Sequence, residues 1–324
     1  MRWAVAGYGD VVERRVLPAL RALGEEPVYL WGRDPDRAAR VAARHGVRAC
    51  GNDERALLGD EVEAVYVATP VVRHVPLARA ALAAGRPVLV EKPLAGGLEG
   101  AGGPDRGADI GGGDRPPAAV AYYRRLAPAV RRLREELDGW TPARVDVRFR
   151  CAFAPGPGHP MRWRTDPAVS GGGVLADAGS HRLDLLVMLF GRPDDVRGRL
   201  TDRFPRGAER RAEVDLAWAS GVRARVVAEW GDAPPVDRIE VMGEGRILTL
   251  DPLDSGRLRT HTARGTSEVT LAPAPNPHQP LIADFVAAVA AGRPPVCPVS
   301  DARIVDEIIA AAGRPHPAWP SLSG

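Results

Sequence analysis

Lysine is almost missing from this chain. Of its 44 lysine and arginine side chains only Lys92 is a lysine, so 43 are arginine. Cysteine is scarce as well. Cys50, Cys151 and Cys297 stand far apart without metal-ligand spacing, so no metal site is expected, and an odd count fits a reducing, cytoplasmic setting. No apolar run reaches the ~18 residues of a membrane span. The opening Met1-Arg2-Trp3-Ala4-Val5-Ala6-Gly7 has no charged-then-apolar leader pattern. An excess of one charge is also lacking, with 44 basic residues against 41 acidic and a net +3. The densest basic segment, Arg124-Arg125 to Arg131-Arg132-Leu133-Arg134, lies on a helical pattern and reads as a solvated face. Neither nucleic acid nor membrane is an expected partner.

What is present is an ordinary globular composition, 324 residues at 45% hydrophobic. That length suggests two domains, over residues 1–120 and 121–312, with a Pro- and Ser-rich tail over 313–324. The first half alternates strand and helix. Trp3 to Ala6 is a short apolar strand running into Gly7-Tyr8-Gly9-Asp10-Val11-Val12 and a helical pattern carrying Val16, Leu17 and Leu20. Strand, glycine turn, helix is the context of a dinucleotide fingerprint. Gly7 allows the tight turn and Gly9 the close approach of backbone to pyrophosphate, while Val12 replaces the third glycine. The next strand, Pro27 to Trp31, ends in Gly32-Arg33-Asp34 with Arg37 a turn further on. A small residue followed by a planar cation favours the 2′-phosphate of NADP(H) over the ribose hydroxyls of NAD(H). The alternative is that Asp34 binds the ribose of NAD(H).

A third strand, Ala64 to Ala68, ends in Thr69-Pro70, and a helix from Val72 to Ala84 carries His74, a capping or packing residue on its pattern. The strand Val88 to Val90 then delivers Glu91-Lys92-Pro93. Ligands bind beyond the carboxyl ends of such strands, and a lysine, unlike an arginine, is able to give up a proton there. Further on, Gly171-Gly172-Gly173 precedes Asp177, His181 and Asp184. At helical spacing these share a face, where a carboxylate would fix the tautomer of His181 and raise its basicity.

Ala68-Thr69-Pro70, His74, Ala81-Leu82-Ala83-Ala84-Gly85, Glu91-Lys92-Pro93 and the Asp177-x-Gly179-x-His181-x-x-Asp184 run resemble the Gfo/Idh/MocA oxidoreductases, relatives of glucose-fructose oxidoreductase and inositol dehydrogenase. The resemblance covers residues 2 to about 94 and about 118 to 312. It implies an α/β protein, with an N-terminal Rossmann doubly wound parallel sheet and a C-terminal α+β domain built on a large open, mostly antiparallel sheet. It places Lys92 at the substrate beside the nicotinamide, and makes Gly7 to Val11, Gly32, Arg33, Arg37, Ala68, Thr69, Pro70, His74 and Glu91 the cofactor side. Tyr122, in a Tyr-x-Arg-Arg segment, Trp163 and Arg164 join Lys92, Asp177 and His181 on the substrate side. The implied reaction interconverts a hydroxyl and a ketone on a sugar, cyclitol or similar polyol. The alternative is a non-catalytic NADP-binding regulator that keeps the fold.

Two expectations concern the rest of the chain. Residues 95–117 are so rich in glycine that a regular helix from Gly96 to Gly113 is unfavourable, at roughly 1 kcal/mol per glycine relative to alanine; a loop, a lid or a locally frame-shifted stretch remain open. From Asp195 to Leu271, alternating segments at Ala212 to Trp218, Arg223 to Trp230, Arg238 to Met242, Arg246 to Leu250 and Glu268 to Leu271 read as one antiparallel sheet. Its open face, with Trp218 and Trp230, is expected to make a homodimer or homotetramer.

Overall fold

The computed structural model describes residues 1–98, 110 and 115–314. Most of the glycine-rich segment (99–109 and 111–114) and most of the tail (315–324) lie outside the described residues, and with them the expectations of a helix-free segment and a fraying end.

Two sheets carry the chain. The first holds β1 (Arg2–Ala6), β2 (Glu26–Trp31), β3 (Ala49–Gly51), β4 (Ala64–Val67), β5 (Val88–Val90) and β6 (Ala118–Val120). All pairs are parallel, in the order β3-β2-β1-β4-β5-β6. Helices cover both faces, so β1, β4 and β5 are buried throughout their centres and read as unbroken apolar runs. The order reverses between β1 and β4, which opens a crevice at the carboxyl ends of those strands. Local signals set the helices. Asp34 accepts from the Arg37 amide, Pro35 occupies the first turn of the helix Pro35–His45, and Gly46 closes it at φ 56°.

The second sheet holds β7 (Arg144–Cys151), β8 (Asp195–Arg203), β9 (Glu209–Ala217), β10 (Arg223–Trp230), β11 (Val236–Gly243), β12 (Arg246–Leu250), β13 (Arg257–Thr262) and β14 (Gly265–Thr270). Its order is β14-β13-β12-β11-β7-β10-β9-β8, antiparallel except for β7 beside β10. The helix Ser180–Phe190 packs on the inner face. The expected role of the two tryptophans is corrected here. Trp218 and Trp230 are only 7% and 2% exposed. Trp218 lies on Phe190 and donates to the Gly191 carbonyl, and Trp230 packs on Phe153 and Phe204. Both point inward because they share the strand phase of Leu216 and Ala228. The open face instead carries charges, with Arg211 paired to Glu213 and Glu229, and Arg225 to Glu213.

Of the two last helices, the first returns to the first sheet and the second lies between the helix Ser180–Phe190, β8 and β6. In His278–Ala291, the Phe285 ring lies 5.7 Å from that of Trp3 on β1. In Val299–Ala312, the buried Asp306 carboxylate accepts from the amides of Ala95 and Gly96, both at 2.8 Å. Burial pushes that carboxyl up to about 8 against the pull of the two amides. Next to it the two signature segments interlock. The Gly97 amide donates to the Gly171 carbonyl at 2.6 Å. A Cβ on Gly96 (φ 61°) would stand 2.6 Å from that oxygen, and one on Gly171 (φ 75°) 2.7 Å from the Ala95 carbonyl. No helix among the described residues is long and apolar enough to cross a membrane.

Gly96→Ala and Gly171→Ala are each expected to cost about 2–4 kcal/mol, the left-handed backbone penalty plus overpacking. Gly139 has φ 73° but nothing within 4 Å of its Cβ position, so Gly139→Ala should cost only about 1–2 kcal/mol. Urea unfolding of the three variants checks this, and equal losses at all three would refute the interlock.

Candidate active site

Lys92 stands two residues beyond β5, where the parallel sheet ends. Its Nζ crosses to the other signature segment and donates to the Asp177 carbonyl at 2.6 Å and to Asp177 Oδ1 at 3.0 Å. Arg164 Nη1 donates to Asp177 Oδ2 at 3.0 Å. The Lys92 and Asp177 side chains are 16% and 19% exposed. Burial pushes the Asp177 carboxyl upward, but Lys92 and Arg164 outweigh it and hold the group below its ordinary value. Trp163 lies against Arg164, its ring centroid 5.6 Å from Cζ.

The expected Asp177–His181 pair does not form. Leu175–Gly179 is a π-helical turn that becomes α-helical at Ser180. A wider turn breaks the i, i+4 alignment assumed from the sequence. Both Asp177 oxygens face cations, and no hydrogen bond joins them to His181. The His181 ring is buried, and its Nδ1 has no partner among the described residues. Burial, together with Arg124, Lys92, Arg182 and His278, pushes its pKa well below the ordinary value. His181 is therefore a neutral imidazole at neutral pH, and its basicity is lowered, not raised. Asp184 is occupied elsewhere. Arg125 grips it through Nε and Nη2 in a buried pair and reaches Asp301 through Nη1. Burial pushes Asp184 up to about 6 while Arg125 pulls it back.

On the cofactor side, the first turn has two unlike glycines. A Cβ on Gly7 would meet the Ala68 carbonyl at 2.4 Å, so Gly7 serves the close approach of the β1 and β4 tips. A Cβ on Gly9 would meet nothing within 4 Å. The Gly9 carbonyl accepts from Val12 and Glu13, so the helix starts at this turn, and the amides of Gly9, Asp10 and Val11, without a partner among the described residues, are the donors that any helix start leaves. The Asp10 carboxylate pairs with Arg14. Thr69 Oγ1 is buried without a partner among the described residues, just before Pro70. An open Gly9 cradle and an orphan hydroxyl fit a dinucleotide.

Two sequence readings change on this side. Gly32 was expected to leave room for a phosphate, but the Tyr8 ring fills that room, 1.7 Å from where a Gly32 Cβ would stand. Tyr8 Oη accepts from the Asp34 amide, and Arg37 lies over the ring with Cζ 5.0 Å from its centroid. Arg33 and Arg37 are exposed at the rim. His74 does not face the groove. Its ring nitrogens each lie 2.8 Å from a carbonyl, of Pro93 and of Thr69, so the ring fills the space between the two tips and its one N–H donates to one of them.

Several residues at the site escaped the sequence reading. Tyr122 was expected at the substrate but is buried, edge-on to His181 at 5.8 Å. Its neighbour Tyr123 lies closer, at 4.9 Å from His181 and 5.2 Å from His278. Arg124 bonds Tyr123 Oη and Asp254, and Arg182 bonds Asp237. Glu91 accepts from Tyr66 Oη at 2.9 Å and from His278 Nε2 at 3.1 Å. The one signal for His278 was its place behind Asn276-Pro277 at a helix start.

Comparison with known proteins places these segments. Residues 1–102 match the oxidoreductase family with an NAD-binding Rossmann fold, and residues 141–249 the GFO/IDH/MocA C-terminal domain. The chain is 30% identical to D-xylose 1-dehydrogenase (NADP(+)) 2 of Haloferax volcanii, over 78% of this chain and 76% of that protein. It is 29% identical to 1,5-anhydro-D-fructose reductase of Ensifer adhaerens, over 89% and 88%. An oxidoreductase domain protein from Kribbella flavida superposes with a TM-score of 0.84 at 25% identity, over 96% of this chain and 95% of that one.

Arg164→Met should remove one of the two cations at Asp177. The low native pKa of Asp177 contributes stability above the unfolded value near 3.9, lost as pH falls through the native value. Without Arg164 the native value rises, so less stability remains to be lost in acid and the Asp177 carboxyl titrates at higher pH. A carboxyl ¹³C titration reads this directly, and an unmoved Asp177 midpoint would contradict the assignment.

Proposed function

The chain belongs to the Gfo/Idh/MocA family and is an NAD(P)-dependent oxidoreductase of CH–OH groups, and from that premise we propose that it interconverts a hydroxyl and a ketone on a sugar, cyclitol or related polyol at Lys92. The observation that carries this reading is the donor count at Nζ. An ammonium has three N–H donors. Two lie on Asp177, so the lysine is fixed in place with one donor left for a substrate oxygen.

When bound, the nicotinamide supplies the acceptor or donor of hydride. The Gly9 turn and Thr69 would hold the dinucleotide, and Arg33 with Arg37 at the rim supports a preference for NADP(H). Asp34 already caps the helix through the Arg37 amide, which supports the arginine reading over the ribose one. The other steps fall to side chains. Lys92 hydrogen-bonds the reacting oxygen and carries its proton. Asp177 offsets the lysine charge and fixes its direction. His181, kept neutral by burial beside Arg124, Lys92 and Arg182, makes a poor proton carrier and serves as a hydrogen-bond partner to a substrate hydroxyl. The alternative of a non-catalytic regulator has no observation in its favour.

The test is turnover with a panel of sugars, keto-sugars and inososes, including D-xylose with NADP⁺ and 1,5-anhydro-D-fructose with NADPH. We expect turnover with at least one, and NADPH bound at least about tenfold tighter than NADH, ~1.4 kcal/mol. Arg33→Asp should reverse that preference. Lys92→Arg should lower kcat by at least ~10² with NADPH affinity nearly unchanged, the usual loss of a positioned acid/base group. A panel without turnover, or a Lys92→Arg enzyme within about threefold of wild type, would sink the reading.

Assembly through the open face of the second sheet, as a homodimer or homotetramer, belongs to the same reading. Its Arg–Glu ladder offers both charges to a two-fold partner. Light scattering at micromolar concentration should give more than a monomer, and a monomer would count against it.

A further inference from the structure

Glu91 precedes the lysine and is itself deeply placed. It receives Tyr66 Oη from β4 at 2.9 Å and His278 Nε2 at 3.1 Å, and the Lys92 amide stands 3.3 Å from Oε2. Burial pushes this carboxyl upward, yet the His278 bond, the His278 and Lys92 charges and the Tyr66 bond pull it down to about 2. His278 comes from far along the chain, at the start of the helix His278–Ala291. Its side chain is 2% exposed. Its Nδ1 is buried and has no partner among the described residues, so Nε2 is its one working nitrogen.

The helix start is itself fixed. Asn276 Oδ1 accepts from the His278 amide at 3.0 Å, and Asn276 Nδ2 donates to the Arg15 carbonyl at 2.8 Å. The His278 ring lies against Tyr123, which in turn meets His181 edge-on. The Arg15 guanidinium lies over the same Tyr123 ring, with Cζ 5.7 Å from the centroid. One imidazole thus touches both the segment that delivers Lys92 and the aromatic contact beside His181.

We propose that His278 is a positioning residue for the reaction: its Nε2–H holds the Glu91 carboxylate, and through Glu91 and the Lys92 amide it fixes the turn that presents Lys92. This rests on the reading that Lys92 acts at the reacting carbon. The role requires a donor to Glu91, while the ring separately lies on Tyr123, so two substitutions separate the parts. His278→Phe keeps the ring and loses the donor. His278→Gln keeps an N–H donor and loses the ring.

Displacement of a reacting group by even ~1 Å costs up to about a hundredfold in rate. His278→Phe should therefore lower kcat roughly tenfold to a hundredfold. KM for the sugar should change less than about threefold, since Lys92 and Asp177 still meet it. His278→Gln should recover most of the lost kcat. In cofactor-free protein, the ¹³C titration of the Glu91 carboxyl should move upward in His278→Phe and return in His278→Gln. Tyr66, Lys92 and His74, the other titratable groups acting on Glu91, are unchanged in both.

A His278→Phe protein with wild-type melting, wild-type kcat and an unmoved Glu91 midpoint would overturn the proposal. So would a His278→Gln protein as impaired as His278→Phe. If wild type turns over no member of the sugar panel, the functional reading has failed, and the Glu91 titration alone decides whether His278 holds the carboxylate.

Discussion

The architecture converges on one bridge, Lys92 Nζ to Asp177. The lysine comes from the end of the parallel sheet, and the carboxylate from the helical segment that continues along the inner face of the second sheet. A partly buried ion pair contributes little net stability unless its geometry is fixed and its remaining lone pairs are satisfied. Both conditions are met here. Asp177 Oδ2 takes Arg164, and the Asp177 carbonyl takes a second lysine N–H. The surrounding backbone is held by Asp306 on Ala95 and Gly96, by His74 between Thr69 and Pro93, and by the Gly97–Gly171 bond. The glycines of the second signature are accordingly steric requirements. A Cβ on Gly173 would stand 2.0 Å from the Glu209 carbonyl, and Glu209 holds the same turn by accepting from Gly173 and Leu175.

The bridge also divides the electrostatics. Negative charge is kept at Asp177 and Glu91, both held below their ordinary pKa values. His181 sits on the cationic side and is kept neutral. All three groups are shifted downward, which keeps the two acids charged and the imidazole neutral, and perturbed groups gathered in one cleft are a common mark of a reaction site. A cation formed at His181 would stand beside Arg124, Lys92 and Arg182.

The sequence was informative where one rule governed a segment. Apolar runs marked β1, β4 and β5 because their strands are buried on both faces. Alternation marked β9 to β12 because one face is covered. It failed at β3, which is three residues long, and at β8 and β13, where Arg, Asp and Thr break the apolar phase. Lys92, Asp177 and Arg164 were all singled out from the sequence, and the structure brings the three side chains together. Their pairing was not legible, because the i, i+4 rule assumes an α-helix and Leu175–Gly179 is a π-helix. Gly32 was read as space for a ligand when it is space for Tyr8. His278 was out of reach: only the docking of a distant helix on β1 brings it to Glu91.

The near-absence of lysine has a structural sense in this setting. Arginine does the fixing work around the site. Arg125 clamps Asp184, Arg124 clamps Asp254, and Arg182 clamps Asp237, each with more than one guanidinium nitrogen. A planar fork suits such tasks because its donors diverge in fixed directions and meet two oxygens at once. The same property unsuits it for position 92. A fork there would lie along both Asp177 oxygens, where Arg164 already holds one, and its remaining donors would keep their fixed plane whatever the substrate presented. An ammonium on a flexible stem anchors two N–H bonds on one residue and keeps its third free to rotate. The charge is common in this chain; the rotatable, titratable donor is not, and it stands where the two sheets meet.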